Sequence, residues 1–529
     1  MTTSAASRHT SPWAATMADP PASVDLRAAD GADVVVLGAG IVGLTTAVLL
    51  QRRGQRVAVL ESREPSASVT AHSTVKLTVG QGTVYSCIES GRGRPAAAHY
   101  AQANVDGMRR LMALVDELGI ECDLRGGQRH LIYTEDPGRA ADVEAERALA
   151  ADLGLPAVPV ADPGLPFPVA ASFAMEDQAT FHPGRYLDGL AAALVEGGGV
   201  VVTGVGATGV AERSDSCTVR TGVADVSAGQ VVVATGYPIL DRGAHFTRLS
   251  PTRSYGIAGV LPGGTDPGMT INVGSPTHST RTVDLDGERL LVVVGEGHEV
   301  GHVTDTGERW ERLRAWAKDR FGVTTFRYHW SAEEMHSDDH VPFAGLVSPG
   351  SRRIFTATGF AGWGMTNGTA SAMLIADLAT GEDPPSWAAA LDARRAEMTL
   401  PGRTFLTQNL HVAKTWARDR LCSSRPAAEV VGLGVGDGAV FTVDGNDTAV
   451  MRDDDGSLRA VSAVCTHLGC NVAWNSGERS WDCPCHGSRF DVDGAVLHGP
   501  ASTPLAHRTL DEEPRAVEGA DEPTGSSRQ

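Results

Sequence analysis

Cys465-Thr466-His467-Leu468-Gly469-Cys470 and Cys483-Pro484-Cys485-His486-Gly487-Ser488 are the two stretches on which the reading of this chain turns. Each offers a thiol and an imidazole at short spacing, Cys-x-His in the first and Cys-x-x-His in the second, with 15 residues between His467 and Cys483. Thiolate and imidazole are transition-metal ligands, so four such groups on two loops read as a metal centre. Zinc sites of similar composition space their ligands as Cys-x-x-Cys or His-x-x-x-His. Neither Cys-x-His nor Cys-Pro-Cys-His-Gly has that form.

On these residues the stretch closely resembles the Rieske domain. The resemblance implies a [2Fe-2S] cluster with Cys465 and Cys483 on one iron and His467 and His486 on the other, the neutral imidazoles raising its potential above that of all-cysteine clusters. It also implies a loop-to-loop disulfide between Cys470 and Cys485, a pair that the respiratory type of Rieske protein carries and that ring-hydroxylating oxygenases and their ferredoxins lack. Ser488 matches the hydroxyl that donates to a bridging sulfide in high-potential members, and such donors stabilise the reduced cluster. The chain departs from the respiratory pattern at Phe490, where those proteins carry a Tyr that donates to a ligand sulfur. One donor fewer places the expected potential in the upper half, but not at the top, of the roughly −150 to +300 mV Rieske range. Gly499-Pro500-Ala501, with Pro504 following, resembles the proline loop that covers the third side of the cluster.

Outward from this module, 529 residues are too many for one small core and suit two or three domains. A net charge of −19 argues against nucleic acid and against an anionic membrane surface, which both want a basic face. Cys87, Cys122, Cys217 and Cys422 are scattered, the pattern of reduced thiols in a cytoplasmic protein. The Cys470–Cys485 bond is then an exception kept by burial beside the cluster. No run of 18 apolar residues occurs, so no membrane span is expected. Residues 1–32 show no apolar core or cleavage pattern and, like residues 517–529, are expected to be disordered tails.

Asp33-Val34-Val35-Val36-Leu37-Gly38-Ala39-Gly40-Ile41-Val42-Gly43 opens a helix to Arg53, and the strand Arg56 to Leu60 closes on Glu61. Strand, Gly-x-Gly-x-x-Gly, helix and a second strand ending in a carboxylate form the dinucleotide fingerprint. Its glycines let a pyrophosphate approach the helix N-terminus, and Glu61 takes the ribose hydroxyls. A second segment, Ala357 to Thr366, runs strand, glycine turn and then the helix Asn367 to Leu378. It resembles the C-terminal flavin segment of the D-amino-acid oxidase-like (glycine and sarcosine oxidase) family, and the resemblance covers roughly Asp33 to Glu397. Val231 to Gly236 matches that family's inner strand, Asp338 to Gly345 its loop before the last strand, and Gln178 to Tyr186 the start of a helix leading into the substrate half.

That resemblance implies FAD held by Gly38, Gly40, Gly43 and Glu61 at one end and by Gly359, Gly362, Gly364, Met365 and Thr366 at the other. Val69 to Lys76 lies where the family threads backbone and hydroxyls beneath the flavin, which adds His72, Ser73, Thr74 and Lys76. Some relatives attach FAD covalently through a nearby His, which makes His72 a candidate; a loop His contacting phosphate or solvent is the alternative. Lys76 either approaches the ring or sits in an exposed salt bridge.

Met108, Leu111, Met112, Val115 and Leu118, and again Trp310, Leu313 and Ala317, recur at helical spacing and read as core. Gly204 to Gly209 also fits Gly-x-Gly-x-x-Gly, but Val210 to Val219 lacks an apolar stripe of helical period, so it reads as a strand turn rather than an NAD(P)H site. Arg253, Arg281 and His298, on the alternating strands Ser250 to Ile257 and Arg281 to Gly301, are candidates to hold a polar substrate tail or else ordinary surface charges. Pro401 to Arg425 reads as an amphipathic connector docked on the flavin domain.

The fold class that follows is α/β. An FAD-binding Rossmann-like domain with an interleaved α+β substrate domain fills residues 33–400, the substrate half lying within about 85–340; a helical connector at 401–427 leads to an all-β Rieske domain at 428–516. The expected activity is oxidation of an amine or amino acid by hydride transfer to flavin, with electrons passed through the cluster to an external acceptor: a dehydrogenase rather than an oxidase. The alternatives are an NAD(P)H-dependent flavin and Rieske reductase, which needs a second nucleotide fingerprint, and a redox sensor built on the cluster and the Cys470–Cys485 bond.

Overall fold

The computed structural model describes residues 7–18, 24–240, 242–264, 266–303, 306–395 and 425–510. The expected connector (401–427) and the 517–529 tail fall largely or wholly outside these. The continuous apolar run Val34 to Leu37 is buried on both faces, as a central parallel strand must be. Its sheet runs Phe343–Leu346, Ile354–Thr358, Val226–Val233, Ala32–Leu37, Val57–Leu60, Val200–Val202. Phe343–Leu346 is antiparallel to its neighbour, the other pairs in this order are parallel, and Cys217–Thr221, off this order, is antiparallel to both Val226–Val233 and Ala207–Glu212. Helix Ile41–Arg52 is buried almost all round because Gly364–Thr380 and Pro183–Glu196 pack against it.

A second, ten-stranded sheet forms the other half of this unit, its long strands being Arg125–Thr134, Ala171–Thr180, Leu249–Val260, Glu288–Glu299 and Phe326–Ser337. Helix Gly307–Phe321 covers it with Trp310, Leu313 and Ala317, and helix Arg94–Leu118 buries Leu111 and Val115, both at the expected spacing. The Gly204–Gly209 stretch leads into strand Ala207–Glu212 with no helix behind it. The C-terminal unit is all-β, with two four-stranded sheets: Arg425–Pro426, Gly438–Val443, Asn446–Arg452 and Leu458–Ser462, then Ala473–Asn475, Ser480–Asp482, Arg489–Phe490 and Val496–His498.

The expectation of a disordered tail over 1–32 is corrected for the described part of that segment. Arg8–His9 pairs in parallel with Tyr328 and His329. Trp13 is 1% exposed, donates from Nε1 to the Ser73 carbonyl at 2.8 Å and lies 4.7 Å under the Arg281 guanidinium. A tryptophan that buries its ring and satisfies its N–H anchors the chain around it.

Candidate functional site

The first glycine turn is shaped by close backbone approach. Gly38 has φ +106°, and a Cβ there would meet the Ala234 carbonyl oxygen at 2.5 Å; a Cβ on Gly43 would meet the Gly38 oxygen at 1.9 Å. Glu61 anchors the turn, accepting the Ala39 N–H at 2.8 Å and the Arg63 N–H at 3.0 Å. A long cavity starts here. It is lined by Gly38, Gly40, Glu61, Arg63, Thr70 and Ser73, then by Ala234 to Gly236, Met335, Gly359, Gly362, Gly364 and Met365. The turn leaves no room for side chains and the N-terminus of helix Ile41–Arg52 opens onto the cavity, so the residues present fit an FAD pyrophosphate.

The other expected flavin residues sit differently. Gly43 and Thr366 support the cavity from behind, Thr366 donating to Asn104 Oδ1 at 2.5 Å. The Thr74 carbonyl accepts from Arg281 at 3.2 Å. His72 lines a separate polar cavity and its Nδ1 lies 2.9 Å from the Ser68 carbonyl. Both readings of Lys76 are corrected: it is 5% exposed, lines neither cavity, and donates to the Thr270 carbonyl at 2.9 Å beside His130 and Ser279. Burial, with Arg281 nearby, pulls its amine down to about 7.

The cluster stretches fold into two apposed loops. Cys465, Cys483 and His486 are buried and His467 is half-buried, with the imidazoles 5.0 Å apart, ring to ring. Cys470 and Cys485 form a disulfide between the loops. The sulfurs of Cys470, Cys483 and Cys485 lie within 4.8 Å of one another, but the disulfide removes two of them as ligands and leaves Cys483 to pair with Cys465. A hydrogen bond from Cys483 pulls the Cys465 thiol down to about 7 against burial, helped by the His467 and Leu468 N–H groups and the Ser488 hydroxyl. Two thiols among N–H donors opposite two imidazoles is a donor set that fits a [2Fe-2S] centre of mixed ligation. Ser488 Oγ also accepts the Ala501 N–H at 3.0 Å, which fastens the proline loop. Phe490 is fully buried among the cluster cysteines.

The Rieske unit docks on the flavin unit through a buried charge network. Arg253 donates to Glu478 at 3.0 Å and lies 3.7 Å from Glu333; Arg489 bonds Asp482 at 2.9 Å and Glu478 at 3.3 Å. Burial alone would raise the Glu478 carboxyl, but Arg253, His9 and Arg489 outweigh it and hold it well below the usual carboxylate range. The three residues named as substrate candidates, Arg253, Arg281 and His298, each have partners within the protein. Arg253 is an interdomain ion-pair partner. Arg281 is spent on the carbonyls of Thr74, Val75 and Phe181, and His298 pairs with the Tyr255 hydroxyl at 3.0 Å. None of the three lines the flavin cavity.

Three features escaped sequence reasoning. Phe246 meets the His486 ring at 5.5 Å and the His467 ring at 6.1 Å, and it packs in one apolar cluster with Met335, which lines the flavin cavity. Glu333 also lines that cavity; its side chain is 1% exposed and neither oxygen accepts a hydrogen bond, with His498 Nδ1 at 3.3 Å. Val496 to Gly499, Ala501 and Ser502 of the Rieske unit close one side of it. Two adjacent acids on the strand Phe326–Ser337, Glu333 and Glu334, were the one available hint, and both line the cavity.

These two sites, on these two folds, define a flavin-dependent oxidoreductase joined to an iron–sulfur electron carrier. Residues 33–378 match the family described as FAD dependent oxidoreductase, and residues 426–509 match the Rieske [2Fe-2S] domain. The chain is 31% identical over 500 residues to a Bacillus subtilis (strain 168) protein named "Putative Rieske 2Fe-2S iron-sulfur protein YhfW", covering 94% of this chain and 97% of that one. Over 92 residues it is 40% identical to cytochrome b6-f complex iron-sulfur subunit 1 of Synechocystis sp., 17% of this chain and 52% of that one. The solved glycine oxidase from Geobacillus kaustophilus superposes with a TM-score of 0.58 at 17% identity, over 69% of this chain and 99% of its own, a likeness of fold. The chain belongs to the FAD dependent oxidoreductase family and carries a C-terminal Rieske domain, with FAD and a [2Fe-2S] cluster as its cofactors. Among the described residues no helix is long and apolar enough to cross a membrane.

Proposed function

We propose that this protein is an amine or amino-acid dehydrogenase whose electrons leave through its own Rieske centre to an external acceptor. The chemistry that FAD supplies when bound is acceptance of a hydride from a carbon next to an amine nitrogen, and water hydrolyses the imine that remains. The cluster, held by Cys465, Cys483, His467 and His486, supplies one-electron carriage. The protein's part is to position and to isolate. The N-terminus of helix Gly364–Thr380 faces the cavity with Gly364 and Met365, an end that favours developing negative charge. Glu333, which lines the cavity with no hydrogen bond to either oxygen and with Arg253 at 3.7 Å and His498 at 3.3 Å, suits a protonated amine.

The observation that carries the reading is the contact of Phe246 with both imidazoles on one side and with the Met335 cluster on the other. It turns the histidine pair toward the flavin cavity across one layer of side chains. We assign the protein to the cytoplasm on its free thiols at Cys87, Cys122 and Cys217. Anaerobic mixing of the purified protein with a panel of amines and amino acids tests the proposal: one of them bleaches the flavin absorbance. Bleaching by NADPH and by no amine contradicts it and favours the reductase.

A further inference from the structure

The hairpin strand Val496–His498 and the turn after it belong to the Rieske module, yet they wall the flavin cavity. His498 Nε2 lies 3.9 Å from where a Cβ on Gly236 would sit, and Ile239 lies 3.8 Å from the corresponding point on Gly499. Ser502 Oγ donates to the Thr208 carbonyl at 3.4 Å, and His498 Nδ1 pairs with Glu333 at 3.3 Å. The opposite face of the same loop belongs to the cluster. Ala501 is 3% exposed in the apolar core that contains Cys465 and Cys483. Its N–H is held at 3.0 Å by Ser488, whose hydroxyl reaches the Cys465 sulfur. One short loop thus separates the two cofactor sites and touches the residues of both.

We propose that His498–Ser502 is part of the flavin-binding site, and that FAD and the [2Fe-2S] cluster bind cooperatively through it. The physical cause is shared ordering. The loop keeps its cavity-lining shape only while the Ser488–Ala501 bond and the packing on Cys465 and Cys483 hold it, and fixing those backbone dihedrals costs conformational entropy. The cofactor that binds first meets that cost, and the second finds the loop already ordered. Linkage then requires the same factor in both directions, typically about 5- to 150-fold. The coupling needs no particular substrate, so it stands apart from the amine reading.

The test uses the full chain, stripped of flavin and titrated with FAD while flavin fluorescence is followed. Three variants are compared with wild type: Ala501→Phe, which crowds the loop; His498→Ala, which removes one lining side chain; and Cys483→Ser, which abolishes the cluster. His498→Ala is expected to bind FAD about tenfold or more weakly while iron content and the EPR signal of the reduced cluster stay those of wild type, and Ala501→Phe, whose side chain also packs on Cys465 and Cys483, to weaken FAD binding and iron retention together. The cluster-free variant is expected to lose FAD affinity about tenfold as well. The chelator concentration that strips half the iron should fall by a similar factor in flavin-free protein. FAD affinity within twofold of wild type in His498→Ala and Ala501→Phe overturns the site assignment. Equal affinity with and without the cluster overturns the coupling. Should Ala501→Phe fail to fold, His498→Ala decides the first point alone.

Discussion

Replacing Glu478 by Gln should loosen the Rieske module from the flavin module. Its carboxylate is 10% exposed and receives Arg253 at 3.0 Å, Arg489 at 3.3 Å and the Ser331 hydroxyl at 2.5 Å. Gln retains one acceptor oxygen but leaves Arg253, itself 4% exposed, with only Glu333 at 3.7 Å as counter-charge. Arg489 keeps Asp482 at 2.9 Å. Removing one member of a buried pair costs roughly 3–5 kcal/mol, and the surviving partners put this case at the lower end, about 3 kcal/mol. At about 1.4 kcal/mol per factor of ten, the population of undocked protein should rise more than a hundredfold. Hydrogen exchange followed by mass spectrometry, on peptides covering Ser331–Glu333 and Gly477–Asp482, reads that population directly. Protection should fall by a similar factor there and stay unchanged in the Ala32–Leu37 strand. Arg253→Met combined with Glu478→Leu should recover part of the loss, because a whole buried pair can be replaced by apolar groups. Protection within about threefold of wild type in Glu478→Gln would refute the view that this network holds the modules together.

Gly43→Ala should abolish flavin binding, since its Cβ would stand 1.9 Å from the Gly38 carbonyl oxygen, a backbone atom of the turn itself; the flavin-to-protein absorbance ratio of the purified protein checks it. Lys76 has a folded-state pKa of about 7, below the roughly 10.4 of an unfolded chain. The unfolded state then binds more protons between those values, so the contribution of Lys76 to stability rises with pH from about 7 to about 10 and is at its worst below pH 7. The difference in unfolding free energy between wild type and Lys76→Met should climb across that window by at most about 4.6 kcal/mol, at about 1.36 kcal/mol per pKa unit; a flat difference contradicts it. Phe490→Tyr places a hydroxyl among the cluster cysteines. A donor favouring the reduced state by about 0.5–1 kcal/mol raises the midpoint potential by roughly 20–45 mV at 59 mV per tenfold change, measurable by EPR-monitored redox titration.

The two cofactor sites were readable because each is written in contiguous residues: the Gly38–Gly43 turn between its strand and helix, and the two cluster loops. Local geometry dictates those residue types, and nothing distant is needed to interpret them. The partners of the charged strand residues were illegible for the opposite reason. Arg253 and Glu478 are 225 positions apart, and only the docking of one folded unit on another buries them. Arg281 looked like an alternating strand charge, but its partners are three carbonyls on two distant loops. The Arg8–Trp13 segment has no periodicity to detect, because a two-residue strand and one buried ring hold it. The Val496–Ser502 loop was seen from its cluster side alone, since the flavin cavity it closes belongs to another domain.

Whether electrons pass between the two cofactors inside one chain is decided most directly by anaerobic photoreduction of the flavin with a sacrificial tertiary-amine donor and no mediator present. Freeze-quenched samples then report the cluster by EPR. The cluster signal should grow as flavin electrons are lost, with one cluster reduced per protein, and in Phe246→Ala it should grow more slowly at unchanged FAD and iron content. A flavin that stays fully reduced beside an oxidised cluster would contradict the account.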